Sequence, residues 1–232
     1  MDIVERLTDS HDSGRPPLLI LEAVRSFLDE HRLGSGSLQA HRIGEGGGSN
    51  FSFLLEREDG ARYVLRRPPR PPLPPSAHDV VREARLQLAL APLGIRVPNI
   101  RAVCKDDSLL GVPFYVMDHI DGDVVTTALP PPLDHDPALR RRLANDLVDT
   151  LAEIHAADVR VPALAAFLRP GNYNDRQVRR FSQLWELNQT RDLPTVVAVG
   201  RWLAANVPDQ LQPTVVHGDY RLGNMIVAHE QP

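Results

Sequence analysis

The sequence predicts an α+β protein of two lobes, with an antiparallel-sheet lobe over residues 1–121 and a mainly helical lobe over residues 122–232. Short apolar runs separated by glycine and Asp-Gly turn signals fill the first half, which is typical of antiparallel strands. Apolar residues at helical spacing dominate the second half. Gly122 and the prolines at 130–132 mark the change between the two patterns, so we place the boundary there.

The composition predicts a globular protein of the cytoplasm. No apolar run approaches the roughly 20 residues that a membrane-spanning helix needs, and the N-terminus has no apolar signal-peptide core. The one cysteine, Cys104, cannot form an internal disulfide, which fits a reducing compartment. The net charge of −4 and the scattered arginines give no basic stripe. We therefore expect neither a membrane nor a nucleic acid as a partner.

In the first lobe, the pattern predicts an N-terminal helix followed by strands and a second helix. Apolar residues recur at helical spacing over residues 17–31 and predict an amphipathic helix. The second helix ends near residue 90, and Ser76 and Asp79 offer a capping box for its start. Strands are predicted at residues 39–43, 51–56, 62–66, 100–104 and 113–120.

In the second lobe, helical periodicity predominates until a short polar segment near the end. Helices are predicted at residues 139–157, 177–190 and 195–206. The polar segment HGDYRLGN at residues 217–224 follows, and two very short strands, at 214–216 and 225–227, are predicted to flank it.

This polar segment carries the clearest chemical signal. Phosphoryl transfer needs a cradle for the nucleotide phosphates, cations to neutralise their charge and a carboxylate to orient the acceptor hydroxyl. Asp219 is followed five positions later by Asn224, which is the spacing of a kinase catalytic loop. In such a loop the aspartate accepts the substrate proton and the asparagine oxygen binds magnesium. A surface loop with ordinary turn residues is the alternative, and the flanking apolar strands argue against it.

The segment GEGGGSN lies between two predicted strands at residues 44–50. Glycines let backbone amides approach a phosphate without a side chain in the way. On turn chemistry alone, a glycine-rich hairpin without a ligand is the more common explanation, so the order of the motifs along the chain decides the interpretation. The predicted phosphate-binding residues are Gly44, Gly46, Gly47, Gly48, Ser49 and Asn50.

The strand after this segment, RYVLRR, ends where kinases carry a phosphate-binding lysine. Alternation along a strand places Val64 and Arg66 on one face, suited to adenine and phosphate respectively. Arginine here replaces lysine and can pair with phosphate bidentately, while Arg67 is an adjacent competitor for the role. Glu83, in the following helix, is the expected ion-pair partner of the cation. The alternative for Glu83 is a solvated helix charge balanced by neighbouring arginines.

The segment GVPFYVMDHIDG is an apolar strand that leads to a turn at the predicted lobe boundary. A kinase hinge hydrogen-bonds adenine through its backbone at this place in the chain. Met117 is predicted to line the back of the adenine pocket, and His119 and Ile120 to supply a carbonyl and an amide. Ordinary core packing is the alternative for Met117, and the two interpretations are compatible.

Taken in order, GEGGGSNFSFLL, RYVLRRPP, VVREAR, GVPFYVMDHIDG and VVHGDYRLGN resemble the aminoglycoside phosphotransferase family, and most of all its branch found near or fused to acyl-CoA dehydrogenases. The resemblance covers nearly the whole chain. It implies a bilobal protein-kinase-like fold, ATP or GTP with Mg²⁺, and transfer of the terminal phosphate to a hydroxyl of a small molecule. It also implies an association with enzymes of acyl-CoA metabolism.

The family places a further metal-binding aspartate, in an Asp-Trp-Glu segment, a short hairpin beyond the catalytic asparagine. The residues after Asn224 contain no such segment. We therefore expect a fragment of a longer gene product with a truncated helical lobe, inactive by itself, in which the strand at 225–227 lacks its usual partner. A nucleotide-binding pseudokinase is the main alternative. A metal hydrolase using His217 and Asp219 ranks last, because the sequence offers no ligand cluster for it.

Overall fold

The computed structural model describes residues 2–10, 15–44, 50–73, 78–209 and 211–228. Contacts between Cα atoms group the chain into two compact units, Met1–Ile154 with His217–Pro232, and His155–Val216. The lobe boundary predicted near residue 122 stays a prediction. The larger unit contains the sheet and every predicted site residue.

The elements follow the predicted order of strands first and helices afterwards. The strands are β1 (Ile3–Val4), β2 (Leu19–Ile20), β3 (Leu38–Ile43), β4 (Phe51–Arg57), β5 (Arg62–Arg67), β6 (Ile100–Cys104), β7 (Phe114–Asp118), β8 (Gly122–Asp123) and β9 (Val227–Ala228). The helices are α1 (Leu21–Glu30), α2 (Val80–Leu90), α3 (Pro131–His135), α4 (Pro137–Ala156), α5 (Pro162–Ala165), α6 (Tyr173–Asn188) and α7 (Pro194–Ala205). Short 3₁₀ turns lie at Leu7–Asp9, Ala91–Leu93 and Leu222–Asn224. The predicted α+β class is confirmed.

Five strands form an antiparallel sheet in the order β3-β4-β5-β7-β6. Alternation along β7 divides its side chains between the two faces of this sheet. Phe114 and Val116 are fully buried in a core with Phe27 of α1, whose ring meets that of Phe114 edge-on at 5.0 Å. Tyr115 packs on the opposite face with Val80 and Ala84 of α2. The sheet therefore lies between α1 and α2, as the period of two requires.

Three local predictions differ from the structure. The helix predicted over residues 17–31 begins at Leu21, because Leu19–Ile20 is extended and pairs in parallel with Ile3–Val4. No strand forms at residues 214–216, although Val215 and Val216 are apolar. The strand predicted at 225–227 forms two residues later, as β9, and it pairs with β8.

Helix α2 is capped at its N-terminus by Asp79, whose side chain accepts a hydrogen bond from the Arg82 backbone N–H at 2.9 Å. Such a cap satisfies one of the amides that have no partner inside the helix. The capping box predicted for this helix also involved Ser76, which lies outside the described residues. Asp79 therefore fixes the start of the helix that carries Glu83.

We expect Asp79→Ala to lower the free energy of unfolding by about 0.5–2 kcal/mol, because the first turn of α2 loses its side-chain acceptor. Chemical denaturation followed by circular dichroism measures this change. Asp79→Ser is the matched control, since serine also caps helices, and its midpoint should stay close to that of the unchanged protein. Equal loss in both variants would show that the cap is not the source of the effect.

The smaller unit, His155–Val216, consists of helices α5, α6 and α7. Asn172 caps α6 by accepting from the backbone N–H groups of Asn174 and Asp175 at 2.8 and 3.4 Å. Gly200 of α7 faces the Ser182 hydroxyl of α6, so the two helices approach each other at small residues. Among the helices that the structure describes, none is long and apolar enough to span a bilayer.

Candidate active site

Arg66 and Glu83 form an ion pair between β5 and α2, with Arg66 Nε 2.8 Å from Glu83 Oε1. The Nε–H does not have hydrogen-bond alignment with that oxygen, so the contact is chiefly electrostatic. Arg66 Nη1 also donates to Ser52 Oγ at 3.4 Å. Both charged side chains are about one-third exposed, at 31% and 33%. The pair is held by the fold and is still open to solvent on one side.

Arg67 points to the other face of the sheet and contacts different groups. It is 1% exposed, its Nε donates to the Pro68 carbonyl at 3.0 Å, and its Nη1 donates to the Leu18 carbonyl. Burial penalises the charged form and lowers the pKa of Arg67 to about 10. Of the two adjacent arginines, Arg66 is therefore the one placed beside Glu83, and Arg67 braces the N-terminal segment.

Glu83 has neutral donors as well as a cation. The Tyr115 hydroxyl donates to Glu83 Oε1 at 2.9 Å, and Asn50 Nδ2 donates to Glu83 Oε2 at 3.2 Å. Gln87 Nε2 donates in turn to the Tyr115 hydroxyl oxygen at 3.3 Å. Burial, reinforced by the Glu83 charge, raises the pKa of Tyr115, so this phenol stays protonated as a donor. The sequence motifs did not single out Tyr115 or Gln87.

The glycine-rich segment joins β3 to β4, whose register pairs Ile43 with Ser52. Gly44 has a φ of +80°, a left-handed conformation that favours glycine at this position. Asn50, predicted as the end of the segment, hydrogen-bonds Glu83. The other predicted phosphate-binding residues, Gly46, Gly47, Gly48 and Ser49, lie outside the described residues.

The predicted adenine-binding residues lie along β5, β7 and the turn after β7. Val64 is buried and is in register with half-buried Met117 on the neighbouring strand. His119 follows β7, with its Nε2 3.4 Å from Arg62 Nη2. Burial and the Arg62 charge lower the pKa of His119, so the ring is neutral at pH 7. Ile120 is half-buried in the same turn, two residues before β8.

The loop at residues 217–224 brings Asp219 and Asn224 into direct contact. Asn224 Nδ2 donates to Asp219 Oδ2 at 2.7 Å and to the Asp219 carbonyl at 2.8 Å. Because the amide NH₂ is used in this way, Oδ1 is the Asn224 atom left to ligate a cation. Arg221 Nε lies 3.4 Å from the same carboxylate. Gly218 has a φ of +86°, which explains why glycine precedes the aspartate.

Two contacts fix this loop within the larger unit, and a third lies within the loop itself. The Tyr220 hydroxyl donates to the Leu147 carbonyl in α4 at 2.5 Å, and the His217 and Tyr220 rings meet edge-on at 5.5 Å. Strand β9, just after the loop, pairs with β8, just after the predicted hinge. A Cβ atom on Gly122 would come within 2.6 Å of the Val227 carbonyl oxygen, so glycine is needed at this crossing. The turn after β7 and the loop at residues 217–224 are thus joined by one short ladder.

An antiparallel five-stranded sheet, a strand-to-helix Arg-Glu pair and a downstream Asp-Asn loop define a protein-kinase-like phosphotransferase fold. The family model for the phosphotransferase enzyme family, APH, matches residues 41–232, so the chain belongs to this family.

Curated relatives include acyl-CoA dehydrogenase family members. The mouse family member 10 is 31% identical over 208 residues, which are 90% of this chain and 19% of the relative. The chicken family member 11 is 36% identical over 193 residues, which are 83% of this chain and 24% of the relative. The chain thus spans about a fifth to a quarter of the length of these relatives.

Solved structures share the fold. A Ralstonia eutropha protein assigned as an aminoglycoside phosphotransferase is 29% identical with a TM-score of 0.72, over 90% of this chain and 61% of that chain. A macrolide 2′-phosphotransferase of type I is 21% identical with a TM-score of 0.57, over 88% of this chain and 66% of that chain. Because this second protein is only 21% identical to the chain, its similarity shows a shared fold and nothing about function.

Proposed function

We propose that this chain carries the nucleotide-binding lobe and the catalytic loop of a small-molecule kinase, which moves the terminal phosphate of ATP or GTP to a hydroxyl group. The observation that carries the proposal is the Arg66–Glu83 ion pair, because it joins the strand and the helix that hold the phosphate-binding cation in kinases. Family membership supports the same reaction class.

In this proposal, the first lobe holds the nucleotide. Arg66 contacts phosphate oxygens, and Glu83 fixes the direction of its guanidinium. Backbone amides of the glycine-rich segment cover the phosphates. Val64 and Met117 contact adenine, and the backbone at His119 and Ile120 hydrogen-bonds its edge. The phosphate-binding segment comprises Gly44, Gly46, Gly47, Gly48, Ser49 and Asn50.

Asp219 and Asn224 carry the transfer itself. Asp219 orients the acceptor hydroxyl and takes its proton. Asn224 holds Asp219 in place through the two hydrogen bonds that its amide donates. Asn224 Oδ1 is a hard oxygen donor that suits Mg²⁺, which in nucleotide sites needs only one or two protein oxygens beside phosphate and water. When bound, Mg²⁺ neutralises charge on the phosphates. Arg221 keeps a positive charge beside the Asp219 carboxylate.

The names of the curated relatives bear on the acceptor. They are acyl-CoA dehydrogenase family members that contain a region similar to this chain. We therefore propose that the hydroxyl acceptor belongs to acyl-CoA metabolism, that the kinase works together with enzymes of that metabolism, and that it does so in the cytoplasm.

Binding of nucleotide tests the proposal directly. We expect magnesium-ATP or magnesium-GTP, at about 100 times its dissociation constant, to stabilise the 232-residue chain by about 2.7 kcal/mol. For a chain of this size that is a rise in melting temperature of roughly 5–10 °C, measured by differential scanning fluorimetry. The control is AMP with magnesium at the same concentration, which lacks the terminal phosphates. A melting temperature unchanged by both ATP and GTP would contradict the proposed function.

A further inference from the structure

The Glu83 carboxylate is held by more than its arginine, and the additional contacts reach back to the glycine-rich segment. We infer that Asn50 and His78 are positioning residues, which orient Glu83 and through it the phosphate-facing Arg66. This inference rests on the proposed function and adds two residues to it. Their role is to set the direction of the hydrogen bonds that reach Glu83. Neither residue needs to touch the reacting atoms.

The direction of each hydrogen bond follows from the chemistry of the groups. Asn50 Nδ2 lies 3.2 Å from Glu83 Oε2, and Asn50 Oδ1 lies 2.9 Å from His78 Nδ1. An ionised carboxylate only accepts hydrogen bonds, so the amide NH₂ of Asn50 must face Glu83. The amide oxygen then faces His78, whose Nδ1 must carry a proton and donate it. The bonds therefore run in one direction, from His78 to Asn50 to Glu83.

The other Glu83 oxygen is fixed from a different element. Oε1 accepts from the Tyr115 hydroxyl at 2.9 Å and lies 2.8 Å from Arg66 Nε. Tyr115 is 1% exposed and is itself bonded by Gln87, so this donor is fixed by the core. With Tyr115 on one oxygen and Asn50 on the other, rotation of the carboxylate breaks at least one bond. We call these two hydrogen bonds, from Tyr115 and from Asn50, the Glu83 clamp. Asn50 is the donor of the clamp that lies outside the core.

Both outer residues stand at the ends of functional segments. Asn50 is the last residue of the glycine-rich segment and directly precedes β4, while His78 directly precedes Asp79, the cap of α2. His78 has a φ of +60°, a left-handed conformation uncommon for a residue other than glycine. Such a conformation persists where the surroundings hold the residue, often at binding sites. The clamp therefore links the exit of the glycine-rich segment and the start of α2 to the ion pair at Arg66.

Two substitutions of nearly equal size separate hydrogen-bond direction from shape. Asparagine and aspartate both tolerate the left-handed backbone of residue 78. His78→Asn keeps a donor for Asn50 Oδ1, whereas the His78→Asp carboxylate can only accept. In the His78→Asp variant the side-chain amide of Asn50 should flip, so that its NH₂ faces the new carboxylate and its oxygen faces the Glu83 carboxylate. Only the second variant should therefore disturb Arg66.

The readout compares ligands with and without phosphates, by isothermal titration calorimetry on the 232-residue chain. We expect His78→Asp to weaken magnesium-ATP about tenfold, and His78→Asn to stay within about threefold of the unchanged protein. Adenosine should bind both variants with nearly unchanged affinity, because it makes no contact with Arg66. A merely structural defect would weaken adenosine and ATP alike.

Three results would overturn the inference. Equal ATP affinity in folded His78→Asp and His78→Asn, or parallel loss of adenosine binding, would remove the positioning role and leave the proposed function intact. Absence of ATP and GTP binding by the unchanged chain would overturn the proposed function together with this inference. Should His78→Asp not fold, Asn50→Asp tests the same direction, since it faces Glu83 with a second carboxylate and should also weaken ATP about tenfold.

Discussion

Asp219→Asn is expected to reduce phosphoryl transfer by about 10²–10⁴-fold, the range of a lost general base, while magnesium-ATP still binds. The substitution changes the basicity of the group and hardly its shape. An asparagine oxygen can still accept the bond that Asn224 Nδ2 now gives to Asp219 Oδ2, so the loop should keep its conformation. The loss should therefore appear in the transfer rate and leave the affinity for nucleotide unchanged.

Two measurements separate these effects. Phosphate release from magnesium-ATP, with water as the acceptor, follows transfer in a protein that also carries the Asp-Trp-Glu segment of the family, and the rise in melting temperature with magnesium-ATP follows binding in the 232-residue chain. Asp192→Asn is the matched control, because it makes the same chemical change at an exposed position of the smaller unit. A transfer rate that survives in Asp219→Asn would assign the base to another residue.

Much of the fold could be predicted because its signals are local. Alternation along 62–66 and 113–120, with turn signals between strands, predicted β5 and β7 to within two residues. The start of α1 was misplaced because Leu19–Ile20 joins Ile3–Val4 in a parallel pair, and parallel pairing between distant segments leaves no periodic signal. The strand predicted at residues 214–216 does not form, since apolar residues alone do not supply a partner strand.

The candidate site also contains some residues that the sequence could predict and others that it could not. Arg66 and Glu83 could be predicted, because the order of glycine segment, strand and helix points to them, and the structure brings them to 2.8 Å. Tyr115 could not, since its contact with Glu83 depends on β5 and β7 being neighbours, which places Tyr115 opposite Arg66. The contact between His78 and Asn50 spans 28 residues and depends on a left-handed backbone at His78. Sheet register and backbone strain of this kind are set by tertiary structure.

Replacement of the two adjacent arginines should give opposite phenotypes. Arg66→Met is expected to weaken magnesium-ATP about 100-fold, because the phosphates lose charge-assisted hydrogen bonds worth about 1.5–3 kcal/mol each. Arg66→Lys keeps a point charge and should lose about tenfold or less, since a lysine cannot pair bidentately. Neither variant should change adenosine binding. Arg179→Met, on the exposed face of α6, is the control for loss of a surface cation.

Arg67→Met is expected to lower the free energy of unfolding and to leave the affinity for nucleotide nearly normal in the folded chain. Its guanidinium is buried and donates to the carbonyls of Leu18 and Pro68. Methionine would leave those acceptors without donors, at a cost of about 1–3 kcal/mol. Urea denaturation and calorimetry with magnesium-ATP measure the two quantities on each variant. If Arg67→Met lost ATP while its stability held, the phosphate-binding cation would be Arg67, and the ion pair of Arg66 with Glu83 would be structural.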